Sequence, residues 1–236
     1  MKISIAALLA SLTLASGAHA DVLTYEYTAQ ISYLTIYHWA STQDPIATTT
    51  LAGGRINFGD TVTGRFSIDA LAAHAPEAHE DGFSSVSYKP SMQNQLTANF
   101  GSGSDGFKLN STSFPELTPT AWVGNSSTGN GTDTVIFHSG FSSPDRIHEI
   151  TLAFSDASGA ALSGTDIPTS LSGLGERTFE YKLFWHPDHE FAAIIAKGAI
   201  TSLNLVSVSA VPEPGTYLMF LAGLPLLAWR RRAARQ

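Results

Sequence analysis

The chain contains no cysteine. Disulfides, thiolate metal ligands and a cysteine nucleophile are thereby excluded, and stability has to come from a hydrophobic core. Basic side chains are few: 13 Lys+Arg stand against 20 Asp+Glu, a formal net charge of −7. Between residues 21 and 210 the imbalance sharpens to 8 basic and 19 acidic side chains. Such a surface suits solubility and is unsuited to nucleic acid or anionic headgroups, so no nucleic-acid partner is expected. Catalytic signatures are missing too. The sequence has no G-x-S-x-G elbow, no H-E-x-x-H pair and no phosphate-binding loop. Nor does any segment sustain a helical period. The alanine-rich stretch from Ala70 to Glu80 is broken by Pro76 and is expected to hold at most a turn or two within a loop.

What fills the middle of the chain is alternation. Leu23, Tyr25, Tyr27, Ala29, Ile31 and Tyr33 alternate with polar residues, the period of two that marks a long half-buried strand. Leu34, Ile36 and Trp39 break the phase, which predicts a bulge or turn near Tyr33 and Leu34. The same period recurs from Val62 to Ile68, Ile150 to Phe154 and Phe179 to Trp185. Shorter β-rich pieces lie at 83–88, 95–100, 134–138, 191–196 and 200–208. Clusters of Gly, Asn, Asp and Ser separate them, as at 57–60, 101–106, 124–131 and 155–159. The expectation is an all-β fold: one antiparallel, jelly-roll-like β-sandwich over residues 21–210. A membrane β-barrel is disfavoured, because the strands are uneven and the loops long.

The two ends read differently from the middle. Residues 1–20 have the parts of a secretory signal peptide: Lys2, an apolar stretch from Ile3 to Leu14, and Ala18-His19-Ala20 before Asp21. At the other end stand Val211, Pro212, Glu213, Pro214 and Gly215, then a mostly apolar run to Trp229, then Arg230, Arg231, Arg232 and Arg235. The prolines lack a backbone N–H and push their predecessors toward extended geometry, which leaves a peptide that a processing enzyme can reach. The run is short for a spanning helix, which needs about 20 apolar residues, so flanking side chains would snorkel. Tyr217 and Trp229 sit near its two ends as interfacial aromatics, and the arginines would stay cytoplasmic as a stop.

That order of parts over residues 211–236 resembles the PEP-CTERM sorting signal of bacterial envelope proteins. The resemblance implies recognition and cleavage by an exosortase, with the catalytic residues on that enzyme. It also implies a transient membrane helix and a final place on the cell surface or in the extracellular matrix. Association with extracellular polysaccharide and biofilm is a further implication. The run from Gly59 to Asp69, and stretches at 152–163 and 198–203, look similar to segments of β-domains in the same family, none carrying an assigned catalytic residue.

Other candidate chemistry is weaker. Gly101 to Phe107 and Gly129 to Val135 match most of a calcium-binding glycine repeat, but each is solitary, and hairpin turns explain both. His74, His79-Glu80-Asp81 and His186 to Glu190 would form a metal site only if loops converged, while His38 and His138 fit hydrogen-bonded sheet positions. Glu180 and Asp188 are one of many carboxylate pairs that a fold could bring together. Tyr33, Tyr37, Trp39, Trp122, Phe184 and Trp185 offer rings for sugar stacking if they face outward. Sequons begin at Asn110, Asn125 and Asn130. The reading is a non-enzymatic exported surface or matrix protein with no cofactor and no resident metal. A carbohydrate-binding module for the cell's own polysaccharide is the alternative, and a glycan-active β-sandwich enzyme comes third.

Overall fold

A computed structural model of the chain describes residues 19–38, 43–72, 74–78, 82–91, 93–101, 106–110, 119–126, 131–143, 146–185 and 192–212. Its elements are strands. The first group is β1 (His19–His38), β2 (Gln43–Pro45), β3 (Thr48–Thr49), β4 (Ile56–Asn57) and β5 (Thr61–Asp69). Then come β6 (His74–Ala78), β7 (Phe83–Tyr88), β8 (Gln95–Phe100), β9 (Phe107–Asn110) and β10 (Thr120–Ser126). The last are β11 (Asp133–Ser143), β12 (Arg146–Asp156), β13 (Glu176–Trp185) and β14 (Ala192–Pro212). Twelve of them form one sheet in the order β6-β7-β10-β11-β12-β13-β14-β1-β5-β8-β9, with β2 added on β1. All of its strand pairs are antiparallel.

The sheet curls until its two wings face each other. Phe66 of β5 lies 4.5 Å from Phe137 of β11 and 6.1 Å from Phe154 of β12, ring centre to ring centre. Phe100 of β8 meets Phe179 and Tyr181 of β13 edge-on at 5.8 and 5.0 Å. Offset and edge-to-face rings at these separations attract beyond their buried area. The fold is therefore all-β and sandwich-like, and its two layers are halves of one continuous sheet joined through β14 and β1.

Alternation places the core residues. Leu23, Tyr25, Tyr27, Ala29 and Ile31 are buried in β1, as are Ile150, Leu152 and Phe154 in β12 and Phe179, Tyr181 and Leu183 in β13. The phase change near Tyr33 is a register shift between Ile31 and Tyr33, after which Leu34 is buried and Tyr33 exposed. Close contact of β1 with β14 depends on Gly198, where a β-carbon would stand 1.9 Å from the Gln30 carbonyl oxygen.

Three elements differ from the sequence expectation. His74–Ala78 is a strand, β6, and it accommodates Pro76 because it ends the sheet order and pairs on one side, with β7. Residues 120–126 form β10, although Gly124 and Asn125 are poor strand formers, because β7 and β11 flank them on both sides. The pieces at 191–196 and 200–208 belong to a single strand, β14.

The connection between β12 and β13 completes the core. It buries Ile167, Leu171 and Leu174. The Tyr25 hydroxyl donates to the Thr169 carbonyl at 3.1 Å, and the Tyr88 hydroxyl donates to the Thr165 carbonyl at 2.9 Å while accepting from Ile167 N–H at 3.1 Å. Asp133, fully buried, accepts from Ser126 N–H at 2.9 Å and from Leu162 N–H at 2.7 Å. This connection therefore bridges the core from β1 to β7, tethered at β11.

Asp133→Ala strands both backbone donors and should cost roughly 2–4 kcal/mol. The check is the urea midpoint of the full chain, with Asp133→Asn, which keeps one acceptor, losing less. A midpoint unchanged in both variants would show that the clamp does not hold the connection.

Candidate functional site

The long ladder of β1 against β14 brings the two processed regions read from the sequence to one place. Asp21 pairs with Ala210, Ala20 with Val211 and His19 with Pro212. The first two residues of the sorting motif are thus the last rungs of the domain's own sheet, and β14 ends at Pro212. Glu213, Pro214, Gly215, Arg230, Arg231, Arg232 and Arg235 lie outside the described residues. So do the apolar run at 216–229 and the segment 1–18. Among the described residues no helix is long and apolar enough to cross a membrane.

The strand leading to the motif is bare on one side. β13 pairs with β14 from Ala192 to Ala199, and beyond that β14 has β1 on one edge and no strand on the other among the described residues. From Ile200 to Pro212 the sequence carries no charged side chain. Leu205, Val206 and Val208 are 45, 48 and 56% exposed. A stretch of this kind hands an extended, accessible backbone to whatever follows, which is the form in which a peptide enters a protease cleft.

The remaining candidates are scattered by the fold. Asp105 of the first glycine loop is outside the described residues, and Asp133 of the second uses both carboxylate oxygens on backbone N–H groups. His74 is exposed with its ring 5.4 Å from that of Tyr88, while His79, Glu80, Asp81 and residues 186–190 lie outside the described residues. No group of three or more metal-ligating side chains converges among the described residues. His138 Nδ1 bonds the Thr151 hydroxyl across β11 and β12 at 3.1 Å. His38 is described in backbone only, within β1.

Glu180, read as one half of a carboxylate pair, is held instead between two cations. Its two oxygens form ion pairs with Lys182 and Lys197 on the outer face of β13 and β14. Partial burial disfavours its charge, but the hydrogen bonds and attraction of both lysines outweigh that and hold the carboxyl below its usual range. The cluster borders a groove of about 760 Å³ whose lining includes Glu176, Arg177, Lys197 and Ser32. Asp188 lies outside the described residues.

Of the aromatics, Tyr33 is exposed and donates to Gln43, Tyr37 and Phe184 are half-buried, and Trp185 packs against the core. Trp39 lies outside the described residues. Trp122 is half-buried on the outer face of β10, with the Phe83 ring stacked 6.1 Å away.

Two buried groups have no sequence signal. His148 Nδ1 meets the Tyr181 hydroxyl at 2.9 Å, and burial pushes that phenol's pKa up against the opposing effect of Arg146. Asn125, first residue of a sequon, is 5% exposed within β10, so a glycan has no room on it. Its Oδ1 is buried without a hydrogen-bond partner.

The PEP-CTERM protein-sorting motif matches the chain over residues 210–232. No curated protein matches the chain. The motif marks an exosortase-processed, exported protein with a membrane-anchored sorting signal.

Glu180→Gln should lower stability at pH 7. Because the folded carboxyl titrates below the unfolded one, its contribution is complete above about pH 5 and fades as the pH falls below the ordinary glutamate value of about 4.3. Urea midpoints of parent and variant should therefore differ at pH 7, and the gap should narrow as the pH falls below the ordinary glutamate value. A gap that persists at low pH would mean that the lysines do not stabilise the charge.

Proposed function

We propose that this chain is a non-enzymatic surface or matrix protein. It is exported through its N-terminal segment, held for a time by its C-terminal segment, and released to the cell exterior by exosortase cleavage near Pro212–Pro214. The single observation carrying this reading is that the matched motif begins at residue 210, inside the final strand, with no linker between domain and signal. On emergence from the membrane a folded body so placed lies beside the processing site.

What the domain does with its polar groups supports a passive role. Asp133 clamps a loop, Glu180 neutralises two lysines, and His148 bonds a core tyrosine. Asp69 accepts from Leu71 N–H and the Ser91 hydroxyl, while its own N–H donates to Asn94, which in turn holds the Pro119 carbonyl. Each of these groups has a structural partner.

The resemblance of the tail extends the reading toward polysaccharide-rich matrix. A carbohydrate-binding module for the cell's own polysaccharide is the second reading, favoured by the outward position of Trp122 and Phe83 on the sheet.

Deletion of Pro212 to Pro214 tests the sorting role. The expected outcome is a full-length chain retained in the membrane fraction, whereas the parent appears outside the cell shortened at its C-terminus, as read by intact-mass spectrometry. Unchanged tail removal in the deletion would refute the assignment.

A further inference from the structure

The outer face of the wing formed by β7, β10 and β11 carries an aromatic platform whose position is set by one glycine. Register places Ser85 opposite Gly124 and Ser87 opposite Trp122, with Gly124 opposite Thr134 and Trp122 opposite Ile136. The neighbouring residues Val86, Val123 and Val135 are buried in the core, so this set faces away from it. A β-carbon at position 124 would stand 2.4 Å from Trp122 Cη2 and 2.6 Å from Phe83 Cζ. Both rings therefore lean over the bare backbone of Gly124 and converge there. Ser85, registered opposite Gly124, is 2% exposed although it belongs to the outer side. With an alanine at 124 the two rings would have to stand up from the sheet.

The surroundings of the rings are mostly polar, with Ile136 directly across from Trp122. Ser87, Thr120, Thr134 and His138 lie next to Trp122 along its strand or on the two flanking strands. No ammonium or guanidinium group occupies an outward position on β6, β7, β10 or the adjoining part of β11; Lys89 follows just past β7, and Glu77 of β6 is registered opposite Ser85. In a chain of net charge −7, a sheet face that carries Glu77 and no cation within its strands selects against anionic ligands. Two half-buried aromatic rings on a strand face, with hydroxyl and imidazole side chains and one isoleucine at neighbouring register positions, match one ligand chemistry well. A neutral pyranose has an apolar C–H face to lay on a ring and equatorial hydroxyls to reach polar neighbours.

The geometry points to Trp122 and Phe83, seated over Gly124, as a binding platform for the pyranose rings of a neutral polysaccharide. This rests on the carbohydrate-binding reading above and assigns it a place. Gly124 is a positioning residue here, since its lack of a side chain is what lets the rings settle.

Affinity electrophoresis of the full chain separates the possibilities, using gels cast with exopolysaccharide purified from the producing cells, with hydroxyethyl cellulose as a neutral probe and alginate as an anionic one. The expected result is retardation of the parent in a neutral gel and none in alginate. Trp122→Ala and Gly124→Ala should each weaken binding at least tenfold, while Trp185→Ala leaves it unchanged. If Trp122→Ala fails to fold, the parent still reports: saturating polysaccharide should shield an indole from acrylamide quenching, and Trp122→Phe should abolish that shielding. Retardation of the parent with Trp122→Ala and Gly124→Ala unaffected overturns the platform and leaves carbohydrate binding standing at another face. No retardation of the parent in any gel overturns the carbohydrate reading itself. Equal retardation in alginate overturns the selection for neutral sugars.

Discussion

β1 and β14 are the first and last strands of the fold, and they pair along nearly their whole length, from His19 with Pro212 to His38 with Ala192. The rest of the sheet hangs on this ladder. β5, β8 and β9 extend from the β1 side, and β13, β12, β11, β10, β7 and β6 extend from the β14 side. The ladder is the hydrogen-bonded join between the two wings, whose facing brings Phe66 against Phe137 and Phe154 across the core. Pairing strands so far apart in sequence carries a loop-closure cost that local hairpins do not. Closure of the domain therefore needs its C-terminal strand. That strand runs straight into the sorting signal, so completion of the fold and presentation of the signal involve the same residues.

Closure by two long strands also explains where polar chemistry sits. A curled sheet has an inner face that must be dry and an outer face that is wet, and the alternation of side chains assigns each residue to one of them. Polar groups that fall on the inner side, such as Asp133, Asn94 and His148, are bound to backbone or to a tyrosine because an unpaired buried polar group costs about 1–3 kcal/mol. Asn125 Oδ1 is the exception among the described residues. On the outer face the missing side chain of Gly124 lets Trp122 and Phe83 lie close to the sheet. The glycine that weakens β10 as a strand is the same one that shapes its exposed surface.

The strands with strict alternation were legible because one residue in two must be apolar wherever a sheet has one dry face. Hence 23–31, 62–68, 150–154 and 179–183 declare themselves, and so does the slip after Ile31. β6 and β10 do not. Pro76 and Gly124 are local arguments against a strand, and each is overruled by neighbours that the sequence around it does not reveal. The burial of Asn125 and the pairing of Glu180 with two lysines were hidden for a similar reason, since Lys197 arrives from another strand.

Local pattern was enough to give the fold class and the sorting signal. Period-two alternation, the missing cysteines and the P-E-P, apolar, arginine order are all properties of contiguous residues, and physics acts on them whatever lies around them. Which face each ring occupies, which acid is neutralised and by whom, and the meeting of Ala20 with Val211 follow instead from long-range register. Such pairings depend on how a curled sheet brings distant strands side by side, and no short window of sequence holds that information.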